Sequence, residues 1–152
     1  MLCAGCGDAS EGDGVNGWFL TVDGQEIGDS RAGIALRDFG RFGAFLLRKG
    51  VVDGTPVLPP DLVEHAGRPA FVLDAATNRY GAAGYGYSWW LDPDGSMVAV
   101  GFAGQSLYVN RKNKVVIVTL SCPPQPPYSA AYGVDLKTEY HAFKDAVLAA
   151  CG

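Results

Sequence analysis

The chain has 152 residues, enough for one domain with a real core, and 48% are hydrophobic against 18% charged, which excludes a disordered chain. Twelve Lys and Arg stand against sixteen Asp and Glu for a net charge of −4, and the scattered basic residues exclude the stripe of a nucleic-acid or anionic-membrane binder. No apolar run reaches the ~20 residues that a bilayer-spanning helix requires.

Residues 1–30 are rich in Gly and Asp and are expected to be irregular, apart from a short strand at Trp18–Val22 ended by the Asp23-Gly24 turn. Met1 to Cys6 has neither a basic stretch nor a long apolar one, so it reads as no signal peptide and the chain as written is expected in the cytoplasm. Cys3 and Cys6 have the spacing of a metal or redox pair, but no second close Cys or His pair follows. Cys122 and Cys151 end different elements, too far apart for the ~7 Å Cα separation a disulfide tolerates. The expectation is four free thiols, with no metal and no cofactor. A metal or redox module centred on Cys3 and Cys6 stays as the rival reading.

Residues 31–86 read as helical. From Ile34 to Lys49, Ala35, Phe39, Phe42 and Leu46 recur at helical spacing while Arg37, Arg41 and Arg48 lie off that face. Gly50 is the stop signal. Asp53-Gly54 marks a turn, and Pro59-Pro60 opens a short helix through Glu64. Another short helix is expected over Ala70–Thr77, and a loop over Gly81–Gly86.

Residues 87–121 change period and read as an antiparallel meander: Tyr87–Leu91, Ser96–Phe102, Leu107–Asn110 and Val115–Leu120. The connections are too short for parallel crossovers. Val115 to Val118 is apolar without a break, so that strand should be covered on both faces. Trp89 and Trp90 should point to opposite faces. After a Pro-rich link, residues 128–151 hold a C-terminal helix whose Leu136, Tyr140, Phe143, Val147 and Ala150 form one stripe. His65 and His141 lie on or near helices without a matching Asp and Ser constellation, His141 reads as a surface residue, and the Arg37, Asp38, Arg41 cluster reads as helix-face pairing. The expected fold is therefore α+β, a single domain with an antiparallel sheet of three to four strands flanked by helices.

Three segments in order resemble one family. Gly33-Ile34-Ala35-Leu36-Arg37-Asp38-Phe39-Gly40-Arg41-Phe42-Gly43 is similar to its Arg-Asp-Leu-Ala-Arg-Phe-Gly helix. Tyr85-Gly86-Tyr87-Ser88-Trp89-Trp90 resembles its Tyr-Gly-Tyr-x-Trp-Trp strand, and Gly101 to Asn110 resembles its Gly-x-x-Gly-Gln-x-apolar-Tyr-Val pair. The family is that of the penicillin-recognising, β-lactamase-related serine hydrolases, in the carboxylesterase and amide-hydrolase branch. The resemblance implies the C-terminal part of an α/β sandwich and the hydrolysis of an ester, amide or β-lactam through an acyl-enzyme.

The same resemblance places Phe102, Ala103 and Gly104 at the substrate-binding triplet and makes the backbone N–H of Gln105 the candidate oxyanion donor. Phe102 stands where many members carry Lys or His, which removes a grip on a substrate carboxylate. None of the seven serines is followed three residues later by Lys, so the nucleophile motif is missing and the chain is expected to be inactive alone. Tyr108-Val109-Asn110 matches the family's Tyr-x-Asn by letter only, because it follows the triplet and lies in a strand. The expected partner is a small ester or amide substrate once a missing N-terminal part is supplied. The other reading is a non-catalytic binding or oligomerising remnant that uses an open sheet edge. Neither nucleic acid nor membrane is expected; family members are often periplasmic or secreted.

Overall fold

The computed structural model describes residues 17–18, 20–25, 32–78, 80–101, 104–121 and 136–151. Strands β1 (Gly17–Trp18) and β2 (Ala32–Gly33) pair with each other ahead of helix α1 (Leu36–Leu47). A small hairpin of β3 (Val51–Val52) and β4 (Thr55–Pro56) follows, then helix α2 (Leu62–Ala66). The main sheet comprises β5 (Phe71–Val72), β6 (Gly84–Gly86), β7 (Trp89–Leu91), β8 (Met97–Val100), β9 (Gln105–Asn110) and β10 (Val115–Leu120). Helix α3 (Leu136–Cys151) ends the described chain.

The expected α+β class holds, and the sheet is an antiparallel meander in the order β10-β9-β8-β7-β6-β5. It extends beyond the three or four strands read from the sequence. Phe71–Val72 is a strand rather than part of a helix, and Gly84–Gly86 is a strand rather than a loop. The glycines explain both differences. A Cβ on Gly84 would lie 2.6 Å from Pro69 Cβ, and one on Gly86 would lie 2.9 Å from the Ala70 nitrogen. They serve close backbone approach in a sheet, although in sequence they look like loop punctuation. Tyr87 and Ser88, read as the start of a strand, instead form the hairpin tip, with φ of 52° and 66°.

Helix α1 crosses β9 and β10 at Gly43. A Cβ there would sit 3.0 Å from Leu107 Cδ1 and closer still to Val116. The buried line therefore runs through Phe39, Gly43 and Leu46, and Phe42, assigned to the core face by its hydrophobicity, is 44% exposed beside Phe45. Gly50 closes the helix with φ +78°, its N–H donating to Phe45 O at 3.0 Å, while Leu58 packs where its side chain would be.

Each face of the sheet carries its own core. Leu46, Val63 and Ala66 pack with Leu91, Met97, Leu107 and Val109 on one face. Val98, Tyr108 and Ile117 pack on the other, with Val147 and Leu148 of α3 against them. Within β10, Val116 and Val118 join the α1 side, whereas Val115 and Ile117 join the α3 side, which is why that strand is apolar throughout. Trp89 and Trp90 divide between the faces as their alternation requires.

Candidate functional site

The turn from β8 to β9 is tied at both ends by backbone bonds. Gly101 donates its N–H to Gln105 O at 2.8 Å, and Gly104 adopts φ +87°, a conformation that disfavours a side chain. The Gly104 carbonyl accepts two hydrogen bonds from Ser121, at 3.1 Å from its N–H and 2.7 Å from its Oγ. Gln105 folds its side chain over Gly101, where a Cβ would come within 3.1 Å of the Gln105 Cβ. The two glycines therefore act differently, Gly104 by turning the chain and Gly101 by making room for the glutamine.

This corner opens on a cavity of about 250 Å³ between the sheet and the first turns of α3. Val98, Val100, Ser106 and Thr119 line it from the sheet, and Glu139, Tyr140, His141 and Phe143 line it from the helix. Trp90 forms a side wall, flanked by Tyr80 at 4.2 Å and Tyr85 at 4.7 Å between ring centroids. Ser106 and Thr119 hydrogen-bond each other across β9 and β10. Among the described residues the lining holds two carboxylates, Asp92 and Glu139, one imidazole, and no Lys or Arg.

A second polar cluster sits at the opposite end of β9. Gln105 and Asn110 are five residues apart on one strand, roughly 17 Å at ~3.4 Å per residue. Ser96 Oγ donates to Tyr108 Oη at 2.9 Å, and Tyr108 Oη donates to Asp94 Oδ2 at 3.2 Å. Asn110 Nδ2 reaches both Asp94 and Tyr108, at 3.2 and 3.0 Å. Lys144 of α3 bonds Asp92 at 2.9 Å, with the two side chains only 11% and 7% exposed, and stands 5.5 Å from the Tyr108 ring centroid.

These contacts set the charges. Burial pushes the Asp94 carboxyl up, but bonds from Ser96 and Tyr108 outweigh it and hold Asp94 below the usual range. Burial raises the Tyr108 phenol, reinforced by Asp94 and opposed by the bonds from Ser96 and Asn110. Burial disfavours charge on Lys144, yet its bond to Asp92 raises it above the ordinary lysine value. Tyr108 is fully buried, so this cluster clamps the β7–β8 turn, β9 and α3 together. Tyr108 and Asn110 of the Tyr-x-Asn letters thus stand in a buried, hydrogen-bonded cluster within strand β9.

Of the site residues read from the sequence, Gly104 and Gln105 meet at the cavity. Phe102 and Ala103 lie outside the described residues, as do Cys3, Cys6 and Cys122. Cys151 is an exposed free thiol, and no group of three or more possible metal ligands occurs among the described residues. Sequence reasoning missed the contribution of α3. His141, read as a surface residue, is half-buried and lines the cavity beside Tyr140. Its position next to the apolar stripe was the available signal.

No family model matches the chain. The chain is similar to the 6-aminohexanoate-dimer hydrolase of Paenarthrobacter ureafaciens, 30% identical over 115 residues, covering 70% of this chain and 29% of that protein. A solved structure from Bacillus anthracis carrying the same enzyme name superposes with a TM-score of 0.64 at 24% identity, covering 86% of this chain and 32% of the other. The chain thus spans about a third of the length of the proteins it matches.

Proposed function

Because this chain belongs to the β-lactamase-related, penicillin-recognising serine hydrolases and fits the C-terminal part of that family, we propose that it is the C-terminal sheet-and-helix part of an amide or ester hydrolase. The observation that carries this reading is the Gly104–Gln105 corner, pinned by Ser121 and open to a cavity. In this role the Gln105 backbone N–H is one oxyanion donor, and Phe102, Ala103 and Gly104 border the substrate. A tetrahedral oxyanion needs two preorganised donors. The second comes from the N–H of a nucleophile that the seven serines here do not supply, since none precedes Lys by three positions. The relative's name points to a linear amide as substrate.

Labelling with a fluorophosphonate tests the assignment. The chain alone takes no label and leaves p-nitrophenyl acetate intact. Joined to a family segment bearing Ser-x-x-Lys and Tyr-x-Asn, it promotes labelling of that segment's serine. Label on any serine of this chain contradicts the reading.

A second reading rests on β10. Ser121 directs its N–H at Gly104, so Thr119, Ile117 and Val115 also turn their backbone groups to β9. Val116, Val118 and Leu120 present theirs to the opposite edge, which has no strand partner among the described residues. Such an uncharged edge suits strand addition, including by a second copy. Light scattering checks this: Val118→Pro converts an oligomer to a monomer, and a wild-type chain that is monomeric at high concentration ends the proposal.

A further inference from the structure

We propose that the cleft at the clamp end of the sheet is a binding site for a small, multiply charged oxyanion of the phosphate kind. Asn110, on its wall, stands at the far end of β9 from the Gln105 corner, so the site is separate from the one assigned to hydrolysis and does not depend on that assignment.

The cleft encloses about 350 Å³ between the end of α1, helix α2, the β7–β8 turn and the β9–β10 turn. Lys49, Arg111 and Lys112 line it together with Glu64 and Asp94. Lys49 follows α1, where the helix dipole favours a cation. That dipole does not account for Lys112, which comes from the β9–β10 turn.

Glu64 spends one oxygen on each of two cations, Oε1 on Lys49 at 3.1 Å and Oε2 on Arg111 at 3.2 Å. One carboxylate therefore holds both positive groups side by side. Gly67 seats the guanidinium, because a Cβ there would lie 2.5 Å from Arg111 Nη2. An arginine fixed in this way offers its other N–H groups to a ligand with little further loss of side-chain freedom.

The acceptors on the wall are already engaged. Asp94 accepts the Ser96 N–H on Oδ1 at 2.9 Å and bonds from Tyr108 and Asn110 on Oδ2. Each ammonium carries three N–H groups and the guanidinium five, so donors exceed acceptors. Three cations less two carboxylates leave a net charge of +1 on the lining. An entering cation meets occupied carboxylates and repulsion from the lysines. An entering phosphate meets a fork that two of its oxygens can bridge, with an ammonium for each of the others. A lone carboxylate has too few oxygens to engage all three cations.

Titration of the isotopically labelled chain with inorganic phosphate at constant ionic strength, followed by NMR, tests the site. Saturable shifts should appear at the Arg111 Nε–H and at the Lys112 and Asn113 amides, with a Kd in the millimolar range, and acetate should bind at least about fivefold more weakly. Lys112→Gln should weaken phosphate about fivefold, and Arg111→Lys, which keeps the charge and loses the fork, about tenfold. Lys114→Gln, in the same turn but outside the cleft lining, should leave binding unchanged. Were Arg111→Lys not to fold, the contrast between Lys112→Gln and Lys114→Gln decides. Equal weakening by those two, acetate binding as tight as phosphate, or no saturable response overturns the site. Serine labelling of the joined protein tests the hydrolase reading separately, and neither result substitutes for the other.

Discussion

Gly43 shows how a single missing side chain sets the geometry around it. Alanine has the better helix propensity by about 1 kcal/mol, which argues for stabilisation by Gly43→Ala. Packing argues the other way, because the new Cβ would press on Leu107 and on Val116, a β-branched side chain with stiff χ1. Overpacking costs ~1–3 kcal/mol, and a contact this close to Val116 belongs at the upper end, so after the propensity gain the expected net result is a loss of about 2 kcal/mol in urea unfolding. An unchanged or raised midpoint would contradict the close crossing. Asp92 offers a second residue-scale test. Its pair with Lys144 is nearly buried, and Asp92→Asn leaves the ammonium without its counter-charge. A loss approaching ~3 kcal/mol is expected, larger than that from Glu64→Gln, whose bonds to Lys49 and Arg111 lie at the surface.

The clamp of Asp94, Tyr108, Asn110 and Lys144 belongs to the element scale, because it joins a turn, a strand and a helix. Asp94 is depressed in the folded state, so its contribution is complete above the unfolded value of ~3.9 and disappears as pH falls through the lower folded one. Tyr108 and Lys144 are raised; their contributions are complete below ~10 and vanish as pH climbs through the folded values. Docking of α3 should hold between those limits and weaken beyond both, which circular dichroism against pH would show. A stability maximum at either extreme would be inconsistent with these shifts.

Legibility also divides at this scale. The Val115–Leu120 strand, its turn from Asn110 and the C-terminal helix are readable because local period and local contacts agree there. The α1 face is legible only in part, since hydrophobicity ranks Phe42 above Gly43 whereas the crossing rewards the smaller residue. Strands β5 and β6 are illegible because Gly84 and Gly86 owe their strand conformation to partners in Ala70–Val72 and Trp89–Leu91. Gly86→Val should therefore disrupt the outer strands, with loss of hydrogen-exchange protection confined to residues 70–91. Retained protection there would mean that the close approach to Ala70 does not matter.

At the scale of the whole molecule, a six-stranded sheet covered by α1 and α2 on one face and by α3 on the other carries the Gly104–Gln105 corner at one end and the polar clamp at the other. The clamp anchors α3 away from the corner, so the helix bridges the cavity without closing it. Motif letters locate the corner in the sequence. Its roof is not foreseeable, because a helical stripe does not show which turns will stand away from the sheet. The central claim is that this body is one part of a hydrolase, completed by a nucleophile carried elsewhere. Fusing residues 32–152 behind a family segment that bears Ser-x-x-Lys and Tyr-x-Asn tests it most directly. The folded fusion should hydrolyse a linear amide well above the rate of the nucleophile-bearing part alone. A folded fusion with no gain in hydrolysis would contradict the claim.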